Sequence, residues 1–269
     1  MIRSPRSIVP LLYFVFVALS SAHGQSYREG LNLGAAAYRS SHYDEAVQHF
    51  KKAVELDSSK PVAHLYLATA YVSQYVPGVD SDENRLFAEK AIQQYQIVLN
   101  SEAVEDSKVN SAKGIAYLYL NMKNWEQSRK YYQMASDFDP NDPEPIYSMG
   151  VIDWTQCYQV RMEGRDRLGM SPGEHLDAKN PGQRKLCQDL QAKNSATVED
   201  GISKFDNAIQ LRPDYDDAMA YMNLMYRERA DLECNDLAAR SRDLKTADEW
   251  VHKALAAKKA KAEKASRSK

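Results

Sequence analysis

The sequence predicts an all-α protein built from repeated helical hairpins, and three observations carry that expectation. Only 11 Gly and 10 Pro interrupt the 269 residues, too little turn chemistry for an all-β fold with many tight turns. A triplet of small, large and small residues at spacing i, i+4, i+7 recurs as Ala46/Phe50/Ala53, Ala91/Tyr95/Val98, Ser128/Tyr132/Ala135, Gly201/Phe205/Ala208 and Ala247/Val251/Ala254. That spacing is one face of a helix. Ahead of each triplet runs a second amphipathic segment, in which Ala68 is followed three places on by Tyr71 and Ala116 by Tyr119, with Gly34 and Gly150 in the same small slot. Gly34 to Ala68 and Ala116 to Gly150 are each 34 residues, whereas Ala68 to Ala116 is 48 and Gly150 to Asn223 is 73. A 34-residue period with insertions accounts for all four intervals.

Composition bounds the function. With 43% hydrophobic and 27% charged residues the chain is neither disordered nor a multi-span membrane protein. A net charge of −2 leaves no basic field for nucleic-acid binding by counterion release. In chain order, residues 1–22 read as a secretory signal peptide: Arg3 and Arg6, an apolar run from Ile8 to Leu19, then Ser20, Ser21 and Ala22. The run is shorter than the roughly 20 apolar residues of a membrane span. Cleavage after Ala22 or Gly24 is expected, followed by export to the periplasm or the extracellular space without stable membrane insertion.

The 34-residue units come next, and they resemble the tetratricopeptide repeat. That pattern asks for a small residue at position eight, Tyr at eleven, small at twenty, an aromatic at twenty-four, Ala at twenty-seven and Pro at thirty-two. Leu33, Leu67 and Met149 match its apolar seventh position, Tyr43 and Trp125 the aromatic that opens the second helix, and Pro140 and Pro213 its closing Pro. The resemblance implies a right-handed α-solenoid of about five hairpins over residues 27–256, with units at about 27–60, 61–105, 109–142, 143–215 and 216–256. Insertions fall in units two, four and five. Pro77, Gly78, Asp80, Ser81 and Asp82 mark a loop and a new helix start in unit two. Residues 158–195 form the insertion of unit four, broken at Pro172, Gly173, Pro181 and Gly182. Asp153 stands where unit four should carry Tyr, and Asn223 and Val251 depart from the pattern in unit five, which is expected to cap the array or to pack loosely. A basic tail, residues 257–269, is expected to fray into water.

Catalytic motifs are missing from the sequence: there is no phosphate loop, no G-x-S-x-G, no H-E-x-x-H and no C-x-x-C. No catalytic residue, metal site or cofactor is therefore assigned. His42, His49 and His64 read as solvated surface histidines, and the charges from Arg161 to Arg167 as a solvent-exposed helical extension. Three cysteines follow the expected cleavage site. The up-and-down order of helices in a solenoid favours pairing Cys187 with Cys234, while other pairings and three free thiols stay open; Cys157 suits a small buried hydrophobe.

First helices line the concave face of such repeats, and by resemblance the second, fifth, ninth, twelfth and thirteenth positions point into it. These slots hold Ala35, Tyr38 and Arg39 in unit one, and Leu65, Thr69 and Ser73 in unit two. Unit three supplies Asn110, Lys113, Tyr117 and Asn121, and unit four Tyr147, Val151 and Trp154. The Lys, Arg and Asn cluster that some family members use for a C-terminal carboxylate is not reproduced. The expected partner-binding residues are Tyr38, Lys113, Tyr117, Asn121, Tyr147 and Trp154, suited to anchoring an extended peptide or a helix of a protein partner. A non-enzymatic protein-interaction scaffold is the leading function. The alternative is a glycan-binding or hydrolytic envelope protein using the 158–195 insertion, with Glu163 and Glu174 as its carboxylates.

Overall fold

The computed structural model describes residues 26–267, among which there are ten helices and no strand. The signal segment assigned to residues 1–22 lies outside them. The chain is an all-α solenoid of helical hairpins in two compact units, divided between Asn124 and Trp125. The first unit holds α1 (26–39), α2 (Tyr43–Leu56), α3 (Pro61–Val72), α4 (Asp82–Leu99) and α5 (Glu105–Asn121). The second holds α6 (Trp125–Phe138), α7 (Pro143–Arg167), α8 (Pro181–Leu211), α9 (Asp216–Leu232) and α10 (Leu237–Arg267). Within each unit helices pack against their sequence neighbours, and first helices also meet, α3 with α5 and α7 with α9.

The repeat is visible at the level of single hydrogen bonds. Ser41 and Lys123 occupy the same place in the turns after α1 and α5, and both are in the left-handed region, with φ of 61° and 57°. His42 N donates to Ala37 O and Asn124 N to Tyr119 O, each at 2.9 Å, which satisfies carbonyls that the helix end would leave open. At the other turn, Asp57, Asp139 and Arg212 donate in turn to Ala53, Ala135 and Ala208, the final small residues of three triplets. The triplets are buried in α2, α4, α6 and α8, and in α10 only Ala247 is. Small slots are there for the rings: a Cβ on Gly34 would lie 2.5 Å from Phe50, and one on Gly150 would lie 2.8 Å from Phe205. The seventh position reports stacking. Leu67 and Met149 are buried, but Leu33, in the first described hairpin, is 46% exposed.

Each insertion is built into the fold. In unit two, Ser81 caps α4 by accepting from Asn84 N, and the buried Asn84 amide holds the loop through Val76 N, Val76 O and Val79 O at 2.8 to 2.9 Å. In unit four the extra residues lengthen both helices, so that α7 runs 25 residues and α8 runs 31, with Asn180 capping α8 ahead of Pro181. The expectation of a solvated charged extension over Arg161–Arg167 is corrected here. Arg165 is fully buried; its guanidinium pairs with Asp231 at 2.9 Å and donates to the carbonyls of Ser171 and Glu174. Arg161 grips Glu228 with two bonds of 2.9 Å and reaches the Pro172 carbonyl. These residues look solvated in sequence because their partners lie 66 and 67 positions away. The sulfurs of Cys187 and Cys234 are bonded, with Cα atoms 6.3 Å apart, and tie the start of α8 to the end of α9; Cys157 is a free, buried thiol. Asp153, in the slot of a Tyr, is buried between Arg129 and Lys204, the latter at 2.8 Å.

The chain end departs from the fraying expected of it. Residues 257–267 continue α10, and Lys261 pairs with Asp216 at the start of α9.

Candidate functional site

The first unit contains an open cavity of about 480 Å³. α1 contributes Ala35, Tyr38 and Arg39, α3 contributes Leu65, Tyr66 and Thr69, and α5 contributes Asn110; the rings of Phe50 from α2 and Tyr95 from α4 complete it. The helical period explains the convergence: slots nine, twelve and thirteen of α1 and five and nine of α3 fall on one face. Phe50 and Tyr95 are buried and form the floor, whereas Arg39, Tyr66 and Asn110 are exposed at the mouth. The Phe50 and Tyr66 rings meet at 5.5 Å, inclined by 56°. Tyr95 lies against α5, where a Cβ on Gly114 would come within 2.5 Å of its ring.

Four hydroxyls are ordered along one wall. Tyr38 Oη bonds Ser73 Oγ at 2.9 Å, Ser73 Oγ donates to Thr69 O at 3.1 Å, Thr69 Oγ1 donates to Leu65 O at 2.9 Å, and Tyr95 Oη lies 3.4 Å from Thr69 Oγ1. Burial pushes the Tyr95 phenol above its ordinary pKa, so the group stays neutral.

The six residues expected to bind a partner divide between the two units. Tyr38 lines the cavity. Lys113, Tyr117 and Asn121 lie along α5 in the same unit, where Tyr117 is exposed and the Asn121 amide donates to its carbonyl at 2.8 Å. Tyr147 and Trp154 belong to the second unit. There Tyr147 is wedged among Phe205, Tyr215 and Tyr221 at centroid distances of 5.9, 4.9 and 5.7 Å. Burial raises its phenol pKa, and pushes that of Tyr215 up to about 12. Trp154 stacks on the exposed Tyr158 at 5.1 Å and meets Tyr221 edge-on. The pair that a hydrolytic reading would use, Glu163 and Glu174, is exposed, and Glu174 serves the loop by accepting from Ser171 N. Burial also pushes the Cys157 thiol up to about 12, which removes it as a nucleophile near neutral pH.

Sequence reasoning missed Phe50, Tyr66 and Tyr95 as cavity residues. Phe50 and Tyr95 were visible as the aromatics of their triplets, but periodicity assigned them to filling the gap within a hairpin. His64 is also corrected: it is buried, with Nδ1 2.7 Å from Gln94 Oε1 and Nε2 3.0 Å from Ser58 O. His42 and His49 lie on α2 and its flank, and among the described residues no group of His, Cys, Asp or Glu is placed to hold a metal ion.

Residues 31–60 match the tetratricopeptide repeat family model. Among solved structures the chain is similar to a MamA protein, with a TM-score of 0.57 and 13% identity over 89% of this chain and 96% of that one. It is similar also to MamA 41-end from Desulfovibrio magneticus RS-1, with a TM-score of 0.54 and 14% identity over 87% of this chain and 96% of that one. A third structure is YrrB, described as a TPR protein with an unusual peptide-binding site, with a TM-score of 0.50 and 15% identity over 86% of this chain and 90% of that one. Comparison with curated protein sequences finds no match. At these identities the likeness is one of fold: the chain shares an α-solenoid of helical hairpins with those proteins, and residues 31–60 match the repeat model.

Proposed function

We propose that the chain is an exported, non-enzymatic interaction scaffold that holds an extended peptide segment of a partner protein in the cavity of its first unit. The observation that carries this reading is the convergence of groove slots from α1, α3 and α5 on one open space with an aromatic floor and a polar mouth. Concave, mostly apolar sites with a few placed polar groups are where proteins seat ligands, and the described likeness to YrrB, a peptide-binding repeat protein, favours a peptide. Tyr117, Lys113 and Asn121 on α5 would extend the contact beyond the cavity. Trp154 and Tyr158 offer a separate aromatic surface in the second unit. Export rests on residues 1–22 alone, and intact mass of protein made in a secreting host tests it: the mature chain should begin after Ala22 or Gly24.

Thr69→Arg and Leu65→Arg, which fill the cavity from one helix, test the binding site. Both should remain cooperatively folded and lose peptides selected on the parent from a random library. Undiminished binding by both variants, in properly folded protein, removes the cavity from the function.

A further inference from the structure

The hydroxyl chain along the cavity wall fixes which way its protons point. A hydroxyl carries one proton. Ser73 spends its proton on the Thr69 carbonyl, so the bond between Tyr38 and Ser73 is donated by Tyr38. Thr69 spends its proton on the Leu65 carbonyl, so the contact between Tyr95 and Thr69 is donated by Tyr95. Both phenols are thereby committed as donors to the protein and offer an occupant only lone pairs. The donors of the lining side chains that remain are the Arg39 guanidinium, the Tyr66 phenol and the Asn110 amide, all three exposed at the mouth rather than in the interior. The interior also presents four aromatic rings, from Tyr38, Phe50, Tyr66 and Tyr95, whose faces attract cations.

Occupants can be ranked on these grounds. A carboxylate inside would face lone pairs with no donor to meet it, and an aliphatic side chain would strip water from the phenol oxygens without replacing its hydrogen bonds. An alkylammonium satisfies both halves of the lining: methylenes lie on apolar side chains, and three N–H donors meet oxygens and ring faces. The positive charge at the mouth asks for a neighbouring anion. Resting on the reading that the cavity holds a peptide, we propose that the occupant is a lysine side chain of the partner. Its stem lies along Ala35 and Leu65, its ammonium rests on Tyr38 Oη and Tyr95 Oη, and an adjacent Asp or Glu of the same peptide pairs with Arg39.

Fluorescence anisotropy with four labelled peptides of the form Gly-Ser-Xaa-Asp-Ser-Gly, with Xaa as Lys, norleucine, Gln or Glu, tests this directly. The lysine peptide should bind about tenfold tighter than the norleucine peptide, the difference expected of a partly desolvated cation on aromatic faces and phenol oxygens. Thr69→Val keeps the shape but removes the acceptor of the Tyr95 proton, which turns that phenol into a free donor. It should shrink the lysine preference and strengthen the glutamate peptide, an inversion that a merely structural role for Thr69 would not produce. Tyr38→Phe should weaken the lysine peptide alone. Equal binding of lysine and norleucine peptides, both abolished by Leu65→Arg, would overturn the lysine assignment and leave the peptide cavity standing. Binding that is insensitive to Leu65→Arg, or absent for all four peptides at millimolar concentration, would overturn both.

Discussion

The inner faces of the two units use the same repeat slots to opposite effect. In the first unit the ninth positions of α1 and α3 are Ala35 and Thr69, and the fifth position of α3 is Leu65; the face they form leaves an open cavity. In the second, the fifth and twelfth positions of α7 are Tyr147 and Trp154, and Tyr221 of α9 closes on both. Rings that could have faced a ligand face one another there. The difference teaches that a groove slot is a direction only. Side-chain size across neighbouring helices decides whether that direction leads into space or into a core.

The second unit should accordingly lose stability where the first loses binding. The largest expected effect is at Arg165. Replacing it with Ala leaves the Asp231 carboxylate to the longer 3.4 Å contact with Arg161 and takes the donor from two loop carbonyls, and should cost about 3 kcal/mol in chemical denaturation. A double change, Arg165→Met with Asp231→Leu, should recover much of this, because one guanidinium N–H of Arg165 is already unpartnered in the fold. Next comes the disulfide, which spans 47 positions. Replacing Cys187 and Cys234 by Ser together should cost about 2–4 kcal/mol. Since both cysteines are buried, reductant should act on the folded protein only as fast as it opens. Tyr147→Ala should then cost about 2 kcal/mol, less than a fully buried ring because Tyr147 is only partly buried. Thr69→Arg in the first unit should cost about 1 kcal/mol, because it removes the acceptor of the Tyr95 proton. If Tyr147→Ala leaves the melting temperature untouched while lowering peptide affinity, the contrast between the units fails and the second unit too presents a groove.

What could be read in the sequence follows from what is periodic. The triplets, the small slots at Gly34 and Gly150 and the shared face of Ala35, Tyr38, Leu65 and Thr69 all depend on spacing along one helix; four triplets are buried and those four side chains line one cavity, whereas Val251 and Ala254 of the fifth triplet stay partly exposed. The void between them was not legible, because it depends on Phe50 and Tyr95 arriving from other helices and stopping short of closure. Arg161 and Arg165 show the converse failure. Alternating charges near a helix end have the signature of a solvated face, and only the fold-back of residues 168–180 and the length of α9 bring Glu228 and Asp231 against them. His64 was misread for the same reason, since Gln94 reaches it from 30 residues away.

The smallest expected effect concerns the last helix, whose inner face carries Ala247 and the partly buried Trp250 packed against the core, with charge pairs to α9 on either side. Arg229 holds Asp243 at one end of the contact and Lys261 holds Asp216 at the other. The bond from Lys261 keeps the Asp216 carboxyl below its ordinary value of 3.8, with partial burial opposing. A carboxyl with a lowered folded pKa adds stability above its unfolded pKa, and that contribution is lost as pH falls through the folded value. Lys261→Ala should therefore cost about 0.5 kcal/mol at pH 7 and low salt, as expected of a largely solvated pair. The cost should shrink when salt screens the pair, and should vanish at a pH below the carboxylate range. Paired thermal melts of parent and variant at pH 7 and at strongly acidic pH check this. A difference that persists in acid would mean that the Lys261 stem, rather than its charge, holds the end of α10 in place.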